Sequence, residues 1–206
     1  MAEIASLRVR RDSGVTLVEV LVTLIILAIG LLGLVALHAR VQVLQAESYQ
    51  RAQALILLKD MAGRIANNRN NAATYVAEFA GQDMTTEGVG AHLDAGDCPA
   101  PDGATPRAQA DVADWCIALR GAAESLDGSN VGAMVGGRGC VEDLGSGRFL
   151  VTVAWQGLAP IEAPPESVAC GAGEYEGGEG TPCAGDVCRR AVTTVVQLAD
   201  LEVDEL

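Results

Sequence analysis

The feature that most constrains this chain is an apolar run from Val15 to Leu37, 23 residues that hold one charge, Glu19. A basic leader precedes it, with Arg8, Arg10 and Arg11 and a terminal Gly14. At a helical rise of about 1.5 Å per residue the run spans roughly 34 Å, enough to cross a hydrocarbon core of about 30 Å. Sixteen of its residues are Leu, Ile or Val. They contribute on the order of −5 to −10 kcal/mol to insertion, against roughly 2.5 to 3.5 kcal/mol for one acidic group at mid-helix. The segment therefore inserts in spite of Glu19. The leader arginines orient it with the carboxyl end outside the cytoplasm, since only Arg40 and Arg51 lie close behind the span.

Charge and cysteine usage bound the rest of the 206-residue chain. The whole carries −13, the leader through Gly14 carries +1, and everything after it carries −14. An acidic chain with only seven aromatic residues repels phosphate and offers little base stacking, so no nucleic acid partner is expected. Six cysteines, at Cys98, Cys116, Cys140, Cys170, Cys183 and Cys188, follow the apolar run and predict disulfides in an oxidising compartment. The competing reading is zinc. No Cys-x-x-Cys occurs, and His38 and His92 are the only histidines, so no metal is expected there. Asp94, Asp97 and Asp102 lack the alternation and closing glutamate of a calcium loop and read as turn residues. No cofactor motif, phosphate loop or catalytic signature is present, which predicts a chain that is not an enzyme.

A carboxylate placed unfavourably in a membrane span has two readings: it sits near the membrane edge and reaches headgroup water, or it takes a cationic partner that appears later, such as a freed amino terminus. The string Gly14-Val15-Thr16-Leu17-Val18-Glu19-Val20 resembles the class III signal of type IV prepilins and of type II secretion pseudopilins. That resemblance implies cleavage after Gly14 by a membrane-embedded prepilin peptidase and methylation of the new amino terminus at Val15. It also implies engagement of an amino terminus by Glu19 during filament assembly. The family's usual first mature residue is phenylalanine, and valine stands here. An uncut signal anchor bearing a periplasmic binding module is the alternative of a different class.

Beyond Leu37 the helical pattern continues. Val41, Leu44, Ala52, Leu55, Leu58, Ala62 and Ile65 recur at helical spacing, which predicts one amphipathic helix from about Thr16 to Asn67, roughly 78 Å long. Gly30 and Gly33 allow bending there or the close approach of other helices. Asn67 to Asn71 supplies the stop, with asparagine suited to a left-handed cap. The stretch Asp60-Met61-Ala62-Gly63-Arg64-Ile65, then Asn67-Asn68-Arg69 and Tyr75, is similar to the end of the long helix in PilV-type minor pilins.

In the remainder, Ala72 to Gly90 reads as a short helical turn followed by loop, and a helix starts at Thr105-Pro106, capped by the threonine. Its inward stripe is Ala108, Val112, Trp115, Leu119, Ala122 and Leu126. Two strands, 138 to 144 and 148 to 156, join across Gly145-Ser146-Gly147. Phe149, Val151, Val153 and Trp155 form the heavier face of the second strand, predicted to lie on the long helix. The string 151 to 155 is similar to the central strand of PilV-type pilins, and Arg189 to Leu198 gives a last strand. Residues 157 to 188, rich in Gly, Pro and Glu, hold three cysteines and need staples. Six thiols allow fifteen pairings. The expected pairs are Cys98 with Cys116, and a local pair among Cys170, Cys183 and Cys188.

The predicted fold is therefore α+β and pilin-like, a long amino-terminal helix on a small antiparallel sheet with disulfide-stapled loops. Its expected divisions are a leader (1–14), a membrane and assembly half-helix (15–37), an amphipathic half-helix (38–70) and a head (71–206). The resemblance implies a minor pilin, a structural subunit that primes assembly or forms a tip complex. Its implied partners are other minor pilins, a major pilin, the prepilin peptidase and the inner membrane. The implied location is the inner membrane with a periplasmic head, then the pilus. A minor pseudopilin of type II secretion is the nearest alternative.

Overall fold

The computed structural model describes residues 14–80, 98, 106–121, 125–126, 129–130, 134–178 and 180–199. The leader arginines, Asp94, Asp97, Asp102, Thr105, Ala122 and the carboxyl-terminal Val-Asp-Glu-Leu lie outside the described residues, as do the expectations placed on them. The chain divides into two compact units, residues 1–44 and 45–206.

The described part of the first unit is residues 14–16 and the opening part of helix α1 (Leu17–Asn67), which passes through Gly30 and Gly33 without interruption. Every residue from Gly14 to Ala46 is exposed. This helix has the length and apolar composition to cross a membrane, with a mean hydropathy of 3.0 in its most apolar window. A side chain built on Gly30 or Gly33 would meet nothing within 4 Å.

In the second unit α1 becomes one-sided. Its buried residues are Gln50, Ala54, Leu58, Met61 and Ile65, spaced by four, four, three and four. This corrects the predicted stripe. Of the expected set Leu58 and Ile65 are buried, whereas Val41, Leu44, Ala52 and Leu55 are exposed. Two apolar rows lie side by side on this helix, and the sheet and the helix that follows Pro106 cover the one that contains Ala54 and Met61.

The end of α1 also differs from expectation. Asn68 has φ −114°, and none of Asn67 to Asn71 is left-handed. A 3-10 turn, Arg69–Asn71, carries the chain into α2 (Ala72–Ala80), a nine-residue helix where a shorter turn was expected. Helix α3 spans Arg107–Leu119 and has Pro106 at its N-cap, so the proline precedes the first turn. It ends sooner than predicted, because Gly121 takes φ +78° and its N–H bonds back to the Ala118 carbonyl. Leu126, expected on this helix, lies instead in a two-residue strand, β1 (Ser125–Leu126), paired with β2 (Ser129–Asn130).

The main sheet has the order β3-β4-β5, all antiparallel, formed by Arg138–Gly145, Arg148–Gln156 and Arg189–Gln197. Ser146 and its two flanking glycines all have positive φ in the β3–β4 turn, as the Gly-Ser-Gly string predicts. Phe149, Val151, Val153 and Trp155 share one core with Leu58, Met61 and Ile65 of α1 and Val112 and Trp115 of α3. The heavier face of β4 thus packs toward the long helix. Gly139 on β3 is required there, since a Cβ would stand 2.3 Å from the Trp115 ring.

The opposite face of the sheet carries a second, smaller core of Cys140, Ala154, Cys170 and Tyr175. The described residues of 157–188 have turns but no helix or strand, and Cys170 and Tyr175 among them cover this face at its Arg138 end. Three disulfides join Cys98 to Cys116, Cys140 to Cys170 and Cys183 to Cys188. The long-range Cys140–Cys170 link ties the loop to the sheet. Tyr175 donates to the Gly136 carbonyl at 2.7 Å, and Arg138 stacks over its ring while pairing with Glu174 at 2.8 Å. Buried Arg189 donates to the carbonyls of Val168 and Cys170 and pairs with Asp186.

Candidate functional site

Gly14, Val15 and Thr16 form an exposed, non-helical approach to α1. The Thr16 carbonyl accepts the N–H groups of Glu19 at 3.1 Å and Val20 at 3.3 Å, and the Thr16 hydroxyl accepts the Glu19 N–H at 3.3 Å. Thr16 is therefore the N-cap of α1, and Glu19 is its third residue. Thr-x-x-Glu is the spacing of a capping box, a pattern present in the sequence beside the more conspicuous glycine and glutamate. The carboxylate in the first turn also faces the positive end of the helix dipole. The backbone after Gly14 is thus an accessible linear segment, and the helix that follows has a fixed start.

A second constellation, in the head unit, joins three helices. Asp111 on α3, 5% exposed, accepts Arg64 Nη1 at 2.8 Å through Oδ1 and the Tyr75 hydroxyl at 2.5 Å through Oδ2. Arg64 also binds Asp60 at 2.9 Å and Asp114 at 3.3 Å, and Asn68 Nδ2 donates to the Tyr75 hydroxyl at 3.2 Å. Asp60, Arg64, Asn68 and Tyr75 belong to the sequence pattern at the end of the long helix; the structure brings them together on Asp111. Burial, then the bond to Asp111, pushes the Tyr75 hydroxyl up to about 12. Burial opposes the charge on Arg64, but its carboxylate bonds outweigh this and hold it above its ordinary value. The arrangement has the chemistry of a fully satisfied clamp and no nucleophile. Asp111 itself carried no sequence signal beyond its place on the inward side of α3.

A third link fixes α1 to the loop and β5. Glu47 Oε1 accepts the Leu158 N–H at 3.1 Å and Arg190 Nη2 at 3.3 Å, while Arg190 donates to the carbonyls of Ala159 and Val187. Trp115 lies in the core, with its indole N–H on the Leu57 carbonyl at 3.0 Å. Among the described residues no group of three or more His, Cys, Asp or Glu is placed to hold a metal ion.

Residues 9–35 match the family described as the prokaryotic N-terminal methylation motif. The chain carries that methylation motif. The match runs from the end of the leader through Gly14, Val15 and Glu19 to Val35 in the exposed apolar helix. The motif is the signal of type IV pilins and pseudopilins, which are structural subunits, and the anchoring it entails agrees with the helix described above. Neither the curated proteins nor the solved structures include a significant match to the chain.

Proposed function

We propose that this protein is a minor pilin of the PilV type, a structural subunit of a type IV pilus. A prepilin peptidase cuts behind Gly14, Val15 becomes the methylated amino terminus, and Glu19 engages the amino terminus of an adjacent subunit. The membrane half of the chain is 15–37, the half-helix 38–70 joins it to a periplasmic head of 71–206, and assembly moves the subunit from the inner membrane to the pilus. Other minor pilins and the major pilin are its partners, and it primes assembly or forms the tip complex.

The observation that carries this reading is the position of the methylation motif at the head of an uninterrupted helix. Exposed apolar side chains continue along that helix outside the buried row of Ala54, Leu58 and Met61, among them Leu44, Leu55 and Ile56. A helix with one side in its own head and further apolar side chains exposed is suited to packing in a bundle of like helices. The clamp on Asp111, built from a helix-end pattern that resembles the one in PilV-type pilins, supports the narrower assignment.

The test is fractionation of cells that express the native chain. The account predicts its presence in sheared pili and its loss from that fraction when the pilus assembly platform is deleted. Dependence on a type II secretion platform instead would make it a minor pseudopilin. Replacing Glu19 with alanine leaves cleavage intact and impairs incorporation; normal incorporation would remove the ion-pair role.

A further inference from the structure

The two edges of the main sheet are built differently. β3 carries Arg138, Glu142 and Asp143, and its register with β4 is broken between Asp143 and Gly145. Charges and a bulge are the devices that keep a sheet edge from pairing with another strand. β5 has neither. Its register with β4 is continuous over nine residues, and residues 191–199 contain no charge and no proline. Val192 to Val196 is an unbroken run of five β-branched residues.

The direction of the free groups follows from the bonds that bracket the strand. Leu198 N–H donates to the Gly147 carbonyl at 2.8 Å, and the Cys188 carbonyl accepts the Gly157 N–H at 2.7 Å. Even-numbered residues therefore face β4, and the N–H and C=O groups of Ala191, Thr193, Val195 and Gln197 point away from it. No described strand lies beyond them. Thr193, Val195 and Gln197 are exposed, Val195 to 51%. A β-branched edge such as residues 191–197, which no described strand pairs with, is an aggregation hazard that secreted proteins do not ordinarily retain.

We infer that the free edge of β5 receives an extended strand from a different filament subunit, adding a fourth strand to the sheet. The edge specifies the chemistry of the occupant: a backbone ladder for affinity, with uncharged side chains beside Thr193, Val195 and Gln197. A second copy is disfavoured because it would bring a further −14 of mature charge against a strand whose two arginines, Arg189 and Arg190, are already paired with Asp186 and Glu47. The identity of the partner as a filament subunit rests on the reading given under Proposed function.

Amide hydrogen exchange on the full chain tests this. In dilute detergent solution the amides of Thr193, Val195 and Gln197 should exchange about 100-fold faster than those of Thr194 and Val196. In the sheared pilus fraction they should slow to match them. Thr193→Pro removes an outward N–H and leaves the β4 ladder whole, so the folded chain should persist with unchanged thermal unfolding while incorporation falls at least about tenfold. Protection already present in the dilute chain would mean that its own residues cover the edge, and protection rising with concentration of the pure chain would mean a second copy. Either result, or fast exchange within pili, overturns the inference while leaving the pilin reading intact. Absence of the wild-type chain from pili would defeat that reading and this partner together.

Discussion

The Tyr75 hydroxyl donates to Asp111 Oδ2 at 2.5 Å across 36 positions of sequence, and Asp111 is the acceptor on which three helices converge. Asp111→Ala leaves Tyr75 and Arg64 without their shared acceptor. Arg64 keeps partial solvent contact and Asp60, so the expected loss is about 2 to 3 kcal/mol, below that of a wholly buried pair. Chemical denaturation of the detergent-dispersed chain measures it. A loss under about 0.5 kcal/mol, as at an ordinary surface site, would remove the clamp from the account.

Tyr75 also gives a signed pH dependence. Its hydroxyl is held neutral to about 12 in the folded chain, against 10.0 when unfolded. The unfolded state therefore binds fewer protons between those values, and stability must fall as pH rises from 10 toward 12. Tyr75→Phe should flatten that part of the curve, read by thermal unfolding across alkaline buffers.

Glu142 lies on the outer face of β3, and burial pushes its carboxyl above the ordinary 4.5. Its Oε1 has no hydrogen-bond partner among the described residues. The folded chain favours the protonated acid, so stability is fullest below pH 4.5 and declines as pH rises through the folded pKa. Glu142→Gln should therefore raise the unfolding temperature at pH 7 and leave it unchanged at pH 4. Destabilisation at pH 7 would contradict this.

How much of this was legible in the sequence depends on whether neighbours in the chain or neighbours in space decide a feature. The apolar run, Glu19 and the Gly145-Ser146-Gly147 turn are local, and they appear in the structure where the residues place them. The face of β4 that meets α1 follows from alternation alone. The buried row of α1 does not, because Leu55 and Ala54 both lie on apolar rows and only the sheet and α3 select the second. Asp111 is an unremarkable acid until α2 brings Tyr75 to it. The Cys140–Cys170 link was not singled out for the same reason, since its partners meet only after the loop folds back over the sheet. Thr16 is a local signal too, an N-cap threonine three residues before Glu19.

The loop over the outer sheet depends on that link. Replacing Cys140 and Cys170 together with serine opens a 30-residue separation and places hydroxyls in the buried layer around Tyr175. The expected cost is about 3 kcal/mol. Limited proteolysis should then cut within residues 157–188 while the core around Trp115 persists.

Gly139→Ala probes the other face. Its Cβ would overlap the Trp115 ring, whose indole is fixed to the Leu57 carbonyl, so the ring cannot simply swing aside. The expected destabilisation is about 1 to 3 kcal/mol. Trp115 fluorescence during unfolding reports it.

The central claim is that the chain becomes a filament subunit by losing its leader and exposing a modified amino terminus beside a capped helix. Intact-mass and amino-terminal peptide measurement of the protein extracted from its native membrane tests this most directly. The account predicts a chain that begins at Val15, heavier by one methyl group on that residue's nitrogen. A chain that retains residues 1–14 would contradict it and make the protein a membrane-anchored module.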